Sequence, residues 1–161
     1  VNDALQPDYG LLLRQAEALL AGEVDPLANT ANFVALLNDN IDRINWIGVY
    51  VLRGNELVLG PFQGKPACVR IPLGQGVCGT AAKQKKTMRI ANVHNFDGHI
   101  SCDPASNSEL VVPLSSNQRV IGVLDIDSPL PDRFSARDQS GIEALCDSFI
   151  RVISVSGGKF I

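Results

Sequence analysis

Four cysteines, at positions 68, 78, 102 and 146, have the widest chemical reach of any residues in this sequence, and their settings differ. Cys102 stands in Gly98-His99-Ile100-Ser101-Cys102-Asp103-Pro104, inside a polar stretch with no periodic apolar face to account for a thiol. An accessible loop thiol with thiolate character is a nucleophile. Asp103 opposes that ionisation unless backbone donors or His99 outweigh it. Cys78 falls at the start of a short helix, where unpaired amides can lower a thiol pKa, although packing in a turn explains it equally well. Cys68 lies on the face of a short strand opposite the one assigned to the core, with Arg70 on its own side to favour a thiolate. Cys146 sits between Ile142 and Phe149 on an amphipathic helix and reads as an inert small hydrophobe.

A second group is acidic. Val123, Asp125 and Asp127 share one face of a strand whose other face carries Leu124 and Ile126, so two carboxylates stand side by side on an apolar element. Either the end of that strand is exposed, or a cationic ligand group or a shared proton compensates the charges. Glu109 opens the preceding strand of the same hairpin and can join the cluster, depending on a register the sequence does not specify. An acidic pocket of this kind suits an ammonium group. Trp46 and Tyr50 share a strand face four residues apart with Gly48 between them, either as core or as an apolar wall of a small-molecule pocket.

The elements that must position these groups are readable from period and punctuation. Asp8 to Leu20 has helical spacing, and a second helix begins at Asp25-Pro26 and returns apolar residues at Leu27, Ala31, Val34, Leu37 and Ile41. From Asn45 the period becomes two, then Arg53-Gly54-Asn55 turns the chain into Glu56 to Leu59. Short strands follow at Ala67 to Ile71 and Met88 to Ala91, separated by a turn and short helix over Gly74 to Ala82. Asn92 to Ser108 is a long loop, a length more often functional than not. Strands over Glu109 to Leu114 and Arg119 to Asp127 form a hairpin, and a helix with a Ser135/Asp138 capping box closes the chain. The fold class predicted is α+β, helices on one face of a largely antiparallel sheet, with residues 1–161 forming one domain.

Several functions are disfavoured. The 161 residues carry 14 Lys+Arg against 17 Asp+Glu, a net charge of −3, which offers no counterion release on a nucleic-acid backbone. No eighteen-residue apolar stretch and no basic-then-apolar leader is present, so a cytoplasmic protein is expected. Gly74, Gly76 and Gly79 match G-x-G-x-x-G, but Pro72 interrupts the approach and the helix after it is short, so a structural turn is the better reading. His94, His99 and Cys102, with Cys68 or Cys78, contain no short ligand pair to anchor a metal. The H-x-E with P-C-x-x-C pattern of zinc deaminases is missing.

The runs Gly60-Pro61-Phe62-Gln63-Gly64-Lys65-Pro66-Ala67-Cys68, Gly76-Val77-Cys78-Gly79-Thr80-Ala81, Gly98 to Asp103, Ser106-Asn107-Ser108-Glu109 and Gly122 to Ser128, taken in order, closely resemble the free methionine-(R)-sulfoxide reductases. These are small enzymes built on a single GAF domain, and the resemblance covers about Ile44 to Asp138. It implies a six-stranded antiparallel sheet flanked by helices, a homodimer, and reduction of the free amino acid. It also implies that Cys102 is the catalytic cysteine, Cys68 the resolving cysteine, and Cys78 a third cysteine able to join disulfide chemistry. Glu109, Asp125 and Asp127 then line the pocket for the amino group and sulfoxide, with Trp46 and Tyr50 at the methyl end. Thioredoxin is the implied reductant, and no metal, flavin or nicotinamide is required. The rival expectation is a GAF module that binds or senses without turnover.

Overall fold

The computed structural model describes residues 6–100, 102–155 and 160–161, so Ser101 of the loop motif lies outside the described residues. Helices α1 (Tyr9–Leu20) and α2 (Pro26–Asn40) precede strands β1 (Trp46–Arg53), β2 (Glu56–Gly64) and β3 (Arg70–Pro72). Helix α3 (Gly76–Gln84), β4 (Met88–Ile90), a 3-10 turn (Val93–Asn95), β5 (Ser108–Ser116), β6 (Arg119–Ser128) and α4 (Ala136–Val155) complete the order. The six strands form one sheet in the order β3-β2-β1-β6-β5-β4, with each adjacent pair antiparallel.

Each helix begins where local chemistry starts it. The Asp8 carboxylate accepts from Leu11 N–H, and the Asp25 carboxylate accepts from Ala28 N–H with Pro26 in the first turn. At α4 the capping box closes reciprocally, Ser135 N–H donating to Asp138 Oδ2 (2.8 Å) and Asp138 N–H to Ser135 Oγ (3.1 Å). Asp138 also accepts from the Tyr9 hydroxyl (2.6 Å) and pairs with Arg133 at 3.3 Å, both partners of that ion pair being buried.

Strand alternation sorts the apolar residues into two cores. Ile47, Val49 and Val51 of β1 meet Leu124 and Ile126 of β6 and Leu110 and Val112 of β5 beneath α1, α2 and α4. The other face carries Trp46, Tyr50, Val111 and Val123, covered by Val77, Cys78, Ala81 and Ala82 of α3. Helices on one face alone were expected from the sequence. Instead α3 packs on the opposite face, and β1 is therefore buried on both sides. The expected strand from Ala67 also shortens to Arg70–Pro72, with Ile71 buried, Val69 61% exposed, and Cys68 half-buried against the α3-side core rather than turned away from it.

Replacing Asp138 by Ala removes the charge facing the buried Arg133 guanidinium together with the α4 cap. Urea unfolding is expected to show a loss of about 3–5 kcal/mol, whereas a loss near zero would mean that neither contributes to α4 docking.

Candidate active site

Register decides which side chains face the cavity on the α3 side of the sheet. In β1 and β6, Trp46 stands opposite Asp127, Gly48 opposite Asp125 and Tyr50 opposite Val123, so both acids and both aromatics share one face. Glu109 of β5 stands opposite Asp127 and joins them. That placement depends on a β-bulge. The turn at Asn117-Gln118, both with left-handed φ, pairs Ser116 with Arg119 and Ser115 with Val120, but Leu114 then pairs with Gly122. Ile121 is the extra residue. Without it Glu109 would pair with Ile126 and point into the helix-side core.

Three carboxyl groups thus converge in a largely dry site. Glu109 and Asp125 are each 6% exposed, Asp127 is half-buried at the mouth, and Asp125 Oδ1 is buried without a hydrogen-bond partner. Desolvation raises all three pKa values, pushing Asp125 up to about 6 and holding Glu109 and Asp127 well above the usual carboxylate range, with repulsion from Asp125 adding to both. The Cys78 thiol, buried at the start of α3, donates to Glu109 Oε1 at 3.8 Å. Burial and then the Asp125 and Glu109 charges push its pKa up, which overrides the lowering that a helix N-terminus could supply.

Cys102 and Cys68 form a disulfide across the cavity mouth, joining the long loop to the segment before β3. Both segments are held by residues at the start of β1. Trp46 Nε1–H donates to Lys65 O (3.1 Å), and the Tyr50 hydroxyl donates to Cys68 O (2.9 Å). The Trp46 ring stacks between Tyr50 and Phe62, at 5.8 and 5.4 Å. Gly48 makes this possible, since a Cβ there would lie 2.4 Å from the indole and 2.5 Å from Phe62. On the loop side, Asn45 Nδ2 donates to Asp103 Oδ2 (3.0 Å) and Ser106 Oγ (3.1 Å). Asp103 is kept ionised by the Ala105 backbone N–H and by Asn45, and this half-buried carboxylate spends both oxygens on those contacts.

The cavity has about 530 Å³ counting its open mouth, and its wall includes all of Trp46, Tyr50, Cys78, Cys102, Glu109, Asp125 and Asp127. Cys68 is not on that wall; it meets the site through the disulfide. The first amides of α3 lie beside the acids, because Gly76, Val77 and Cys78 line the cavity and the Gln75 side chain makes no capping bond. The site therefore presents carboxyl groups beside the first turn of a helix, a combination suited to an α-amino acid zwitterion. The glycine run serves as a turn: Gly74 has φ +87°, and a Cβ at Gly79 would strike Pro72 O at 2.5 Å.

Of the histidines, His99 lines the cavity with a pKa lowered by burial and then by His94, while His94 Nε2 bonds Asn107 Oδ1. Among the described residues, the metal-capable side chains that converge are Cys78, Glu109 and Asp125, with ligand atoms within 4.8 Å of one another, rather than any set containing the histidines. Asn45 and the polar ends of Trp46 and Tyr50 were not singled out by sequence for this bonding. An Asn directly before an apolar strand was the available signal.

A six-stranded antiparallel sheet between helices is the arrangement of a GAF-domain protein, and the GAF domain family model matches residues 2–153. The chain is 51% identical over 151 residues to free methionine-R-sulfoxide reductase of Escherichia coli K12, covering 94% of this chain and 92% of that one. It superposes on the reduced form of fRMsr from Staphylococcus aureus with TM-score 0.89 at 50% identity, over 92% and 96% of the two chains. The free methionine-R-sulfoxide reductase of Neisseria meningitidis, solved in complex with its substrate, gives TM-score 0.89 at 40% identity over 92% and 90%. The chain belongs to the free methionine-R-sulfoxide reductase family, a family of oxidoreductases.

The folded state holds the Asp125 proton more tightly than the unfolded chain does. Stability therefore falls as pH rises from about 4 to about 6, and the loss persists at neutral pH. Asp125→Asn is expected to raise Tm at pH 7.5 by several degrees, on the order of 2 kcal/mol, while weakening substrate binding. A lowered Tm would show that the carboxylate is compensated within the protein itself.

Proposed function

We propose that the chain reduces free L-methionine-(R)-sulfoxide to L-methionine, with Cys102 as nucleophile, Cys68 as resolving thiol and thioredoxin as reductant. The observation that carries this reading is the Cys68–Cys102 disulfide at the mouth of a cavity walled by the carboxyl groups of Glu109, Asp125 and Asp127. In the first step the Cys102 thiolate attacks the sulfoxide sulfur while a neutral carboxyl group protonates the oxygen. Oxygen passes to Cys102 as a sulfenic acid and methionine leaves, so the sulfoxide is reduced by two electrons as the thiol is oxidised by two. Cys68 then displaces water to form the disulfide, and a thioredoxin dithiol exchanges with it to restore both thiols.

Different carboxyl groups suit different tasks. Glu109, buried and pushed far up, is suited to stay neutral and give the proton, and it recovers a proton from solvent between cycles. Asp125, ionised above about 6 and missing a partner at Oδ1, is suited to the substrate ammonium. Asp127 at the mouth completes the cluster. The first amides of α3 donate to the substrate carboxylate, and Trp46 with Tyr50 face the methyl end. Cys78 remains protonated as a donor to Glu109 and stands as an alternative thiol for disulfide exchange.

Free-substrate selectivity has a physical source in this arrangement. A peptide-bound methionine sulfoxide brings a neutral amide nitrogen to carboxylates that need a cation, so it leaves a buried charge uncompensated. Residues 1–161 are read as one domain acting as a homodimer. The exposed apolar residues Leu11, Leu19, Val24 and Leu27, on α1 and the turn into α2, offer a face for that contact. Thioredoxin recycling places the enzyme in the cytoplasm. Among the described residues no helix is long and apolar enough to cross a membrane.

NADPH consumption with thioredoxin and its reductase is expected for free L-methionine-(R)-sulfoxide, and not for the S epimer or a peptide-bound R-sulfoxide. Absence of turnover on all three by fully reduced protein would favour a binding or sensing module. Cys102→Ser is expected to yield no methionine even in a single turnover, and Cys68→Ser about one methionine per active site without cycling. Full thioredoxin-dependent cycling in the Cys68 variant would reassign resolution to Cys78. The pH profile of kcat/KM should lose activity as pH falls through about 6, where Asp125 gains its proton and no longer attracts the ammonium group. A profile flat down to pH 5 would move the ammonium contact to another group.

A further inference from the structure

The geometry points to Asn45 as a positioning residue that sets where the Cys102 loop presents its thiol. This inference rests on the reading of Cys102 as the nucleophile. Asn45 is not among the residues lining the cavity, so any effect it has on the reaction is transmitted through what it holds. Its backbone N–H donates to Asp127 O at 3.0 Å, fixing it to the strand that carries two of the three site acids. From that position its side-chain amide gives both hydrogens to the loop, one to Asp103 Oδ2 and one to Ser106 Oγ.

The two loop acceptors are themselves locked together. Asp103 Oδ1 accepts from Ala105 N–H at 2.9 Å, and Asp103 O accepts from Ser106 N–H at 3.2 Å, so residues 103–106 form a compact turn. One residue beyond, Asn107 N–H donates to Ser128 O at 2.8 Å, and its side-chain amide donates to Pro129 O at the same distance. The C-terminal stem of the loop is therefore tied to the sheet from Asp103 onward, and Cys102 is the first residue outside that tie. Asn45 is the tie closest to it.

In the proposed cycle Cys102 serves two partners, the sulfoxide sulfur inside the cavity and Cys68 at its mouth. A thiol that moves between two targets needs a fixed pivot, because catalysis is steeply sensitive to misplacement on the ångström scale. The Asn45–Asp103 bond supplies the pivot one residue from the sulfur. It also turns the Asp103 carboxylate toward β1, so that charge is engaged by Asn45 and Ala105 beside the thiol that must ionise.

The test compares Asn45→Ala with the wild type by three measurements on the whole chain. Single-turnover methionine formation is expected to slow by about 10- to 100-fold per active site. KM is expected to stay within about threefold, since no cavity contact is lost. Amide exchange at Ala105 and Ser106 is expected to quicken by about tenfold or more, with β5 and β6 protection unchanged. Adding Asn45→Ala to Asp103→Ala should slow the reaction by less than Asn45→Ala slows the wild type, because the two substitutions share the Asn45–Asp103 bond and only the Ser106 contact remains to be lost. An unchanged single-turnover rate, or unchanged exchange at Ala105 and Ser106, would overturn the inference. So would a rate loss matched by a loss of protection throughout the sheet, which marks a general loss of fold. If wild-type protein forms no methionine, the functional reading fails, and the exchange measurement still decides whether Asn45 holds the loop.

Discussion

Three carboxyl groups gathered on one face of a sheet, two of them buried, impose the constraint around which this molecule is built. Glu109, Asp125 and Asp127 repel one another wherever more than one is ionised, and burial removes the water that would screen them. Such a cluster is tolerable in two states, either largely protonated or facing a cation. The raised pKa values, with the Cys78 thiol supplying one neutral donor, correspond to the first. An amino acid offers the second. The same electrostatic cost that disfavours the ionised cluster favours a cation beside it and keeps protons on Glu109 and Asp127.

The cost is carried by packing elsewhere. The helix-side core under α1, α2 and α4 is apolar throughout its buried cluster, and the closing helix is anchored by the Tyr9, Arg133, Ser135 and Asp138 network. β1 connects this reservoir to the site, because its alternate residues belong to the two cores. Ile47, Val49 and Val51 bury one side, while Trp46 and Tyr50 on the other use their polar ends to hold the Cys68 segment. Asn45, just before the strand, holds the Cys102 loop. The two sulfurs of the disulfide are therefore referenced to one rigid strand.

Much of this was legible in the sequence where a local rule acts alone. Asp25-Pro26 and the Ser135/Asp138 pair start their helices for reasons contained in a few residues. The side-by-side acids at 125 and 127 follow from strand periodicity. What failed was non-local. The Cys68 segment reads as a strand by alternation, yet Lys65 O and Cys68 O are taken by Trp46 and Tyr50, and Pro66 has no N–H, so an extended ladder there lacks its groups. Counting back from the Asn117-Gln118 turn would have put Glu109 on the wrong face, since the bulge at Ile121 has no distinctive sequence mark. The short helix α3 was legible after its turn, but it is too brief to signal that it covers a second core.

The division between regular and irregular backbone then follows from chemistry. The acids stand on paired central strands, where their mutual distances cannot relax and their pKa values stay displaced. Both sulfurs of the disulfide stand outside regular elements, on segments flanking β3 and β5. A sulfur locked in a strand could meet either a substrate or a second cysteine, but not each in turn. A sulfur on an untethered loop could reach both and would be aligned with neither. Suspending each cysteine on a short irregular segment, and fixing the segment's backbone or neighbouring side chain to β1, satisfies both requirements with few hydrogen bonds. The residues that make those bonds, Asn45 just before β1 and Trp46 and Tyr50 within it, are therefore expected to constrain the geometry at the two sulfurs as strongly as the residues that touch the reacting atoms.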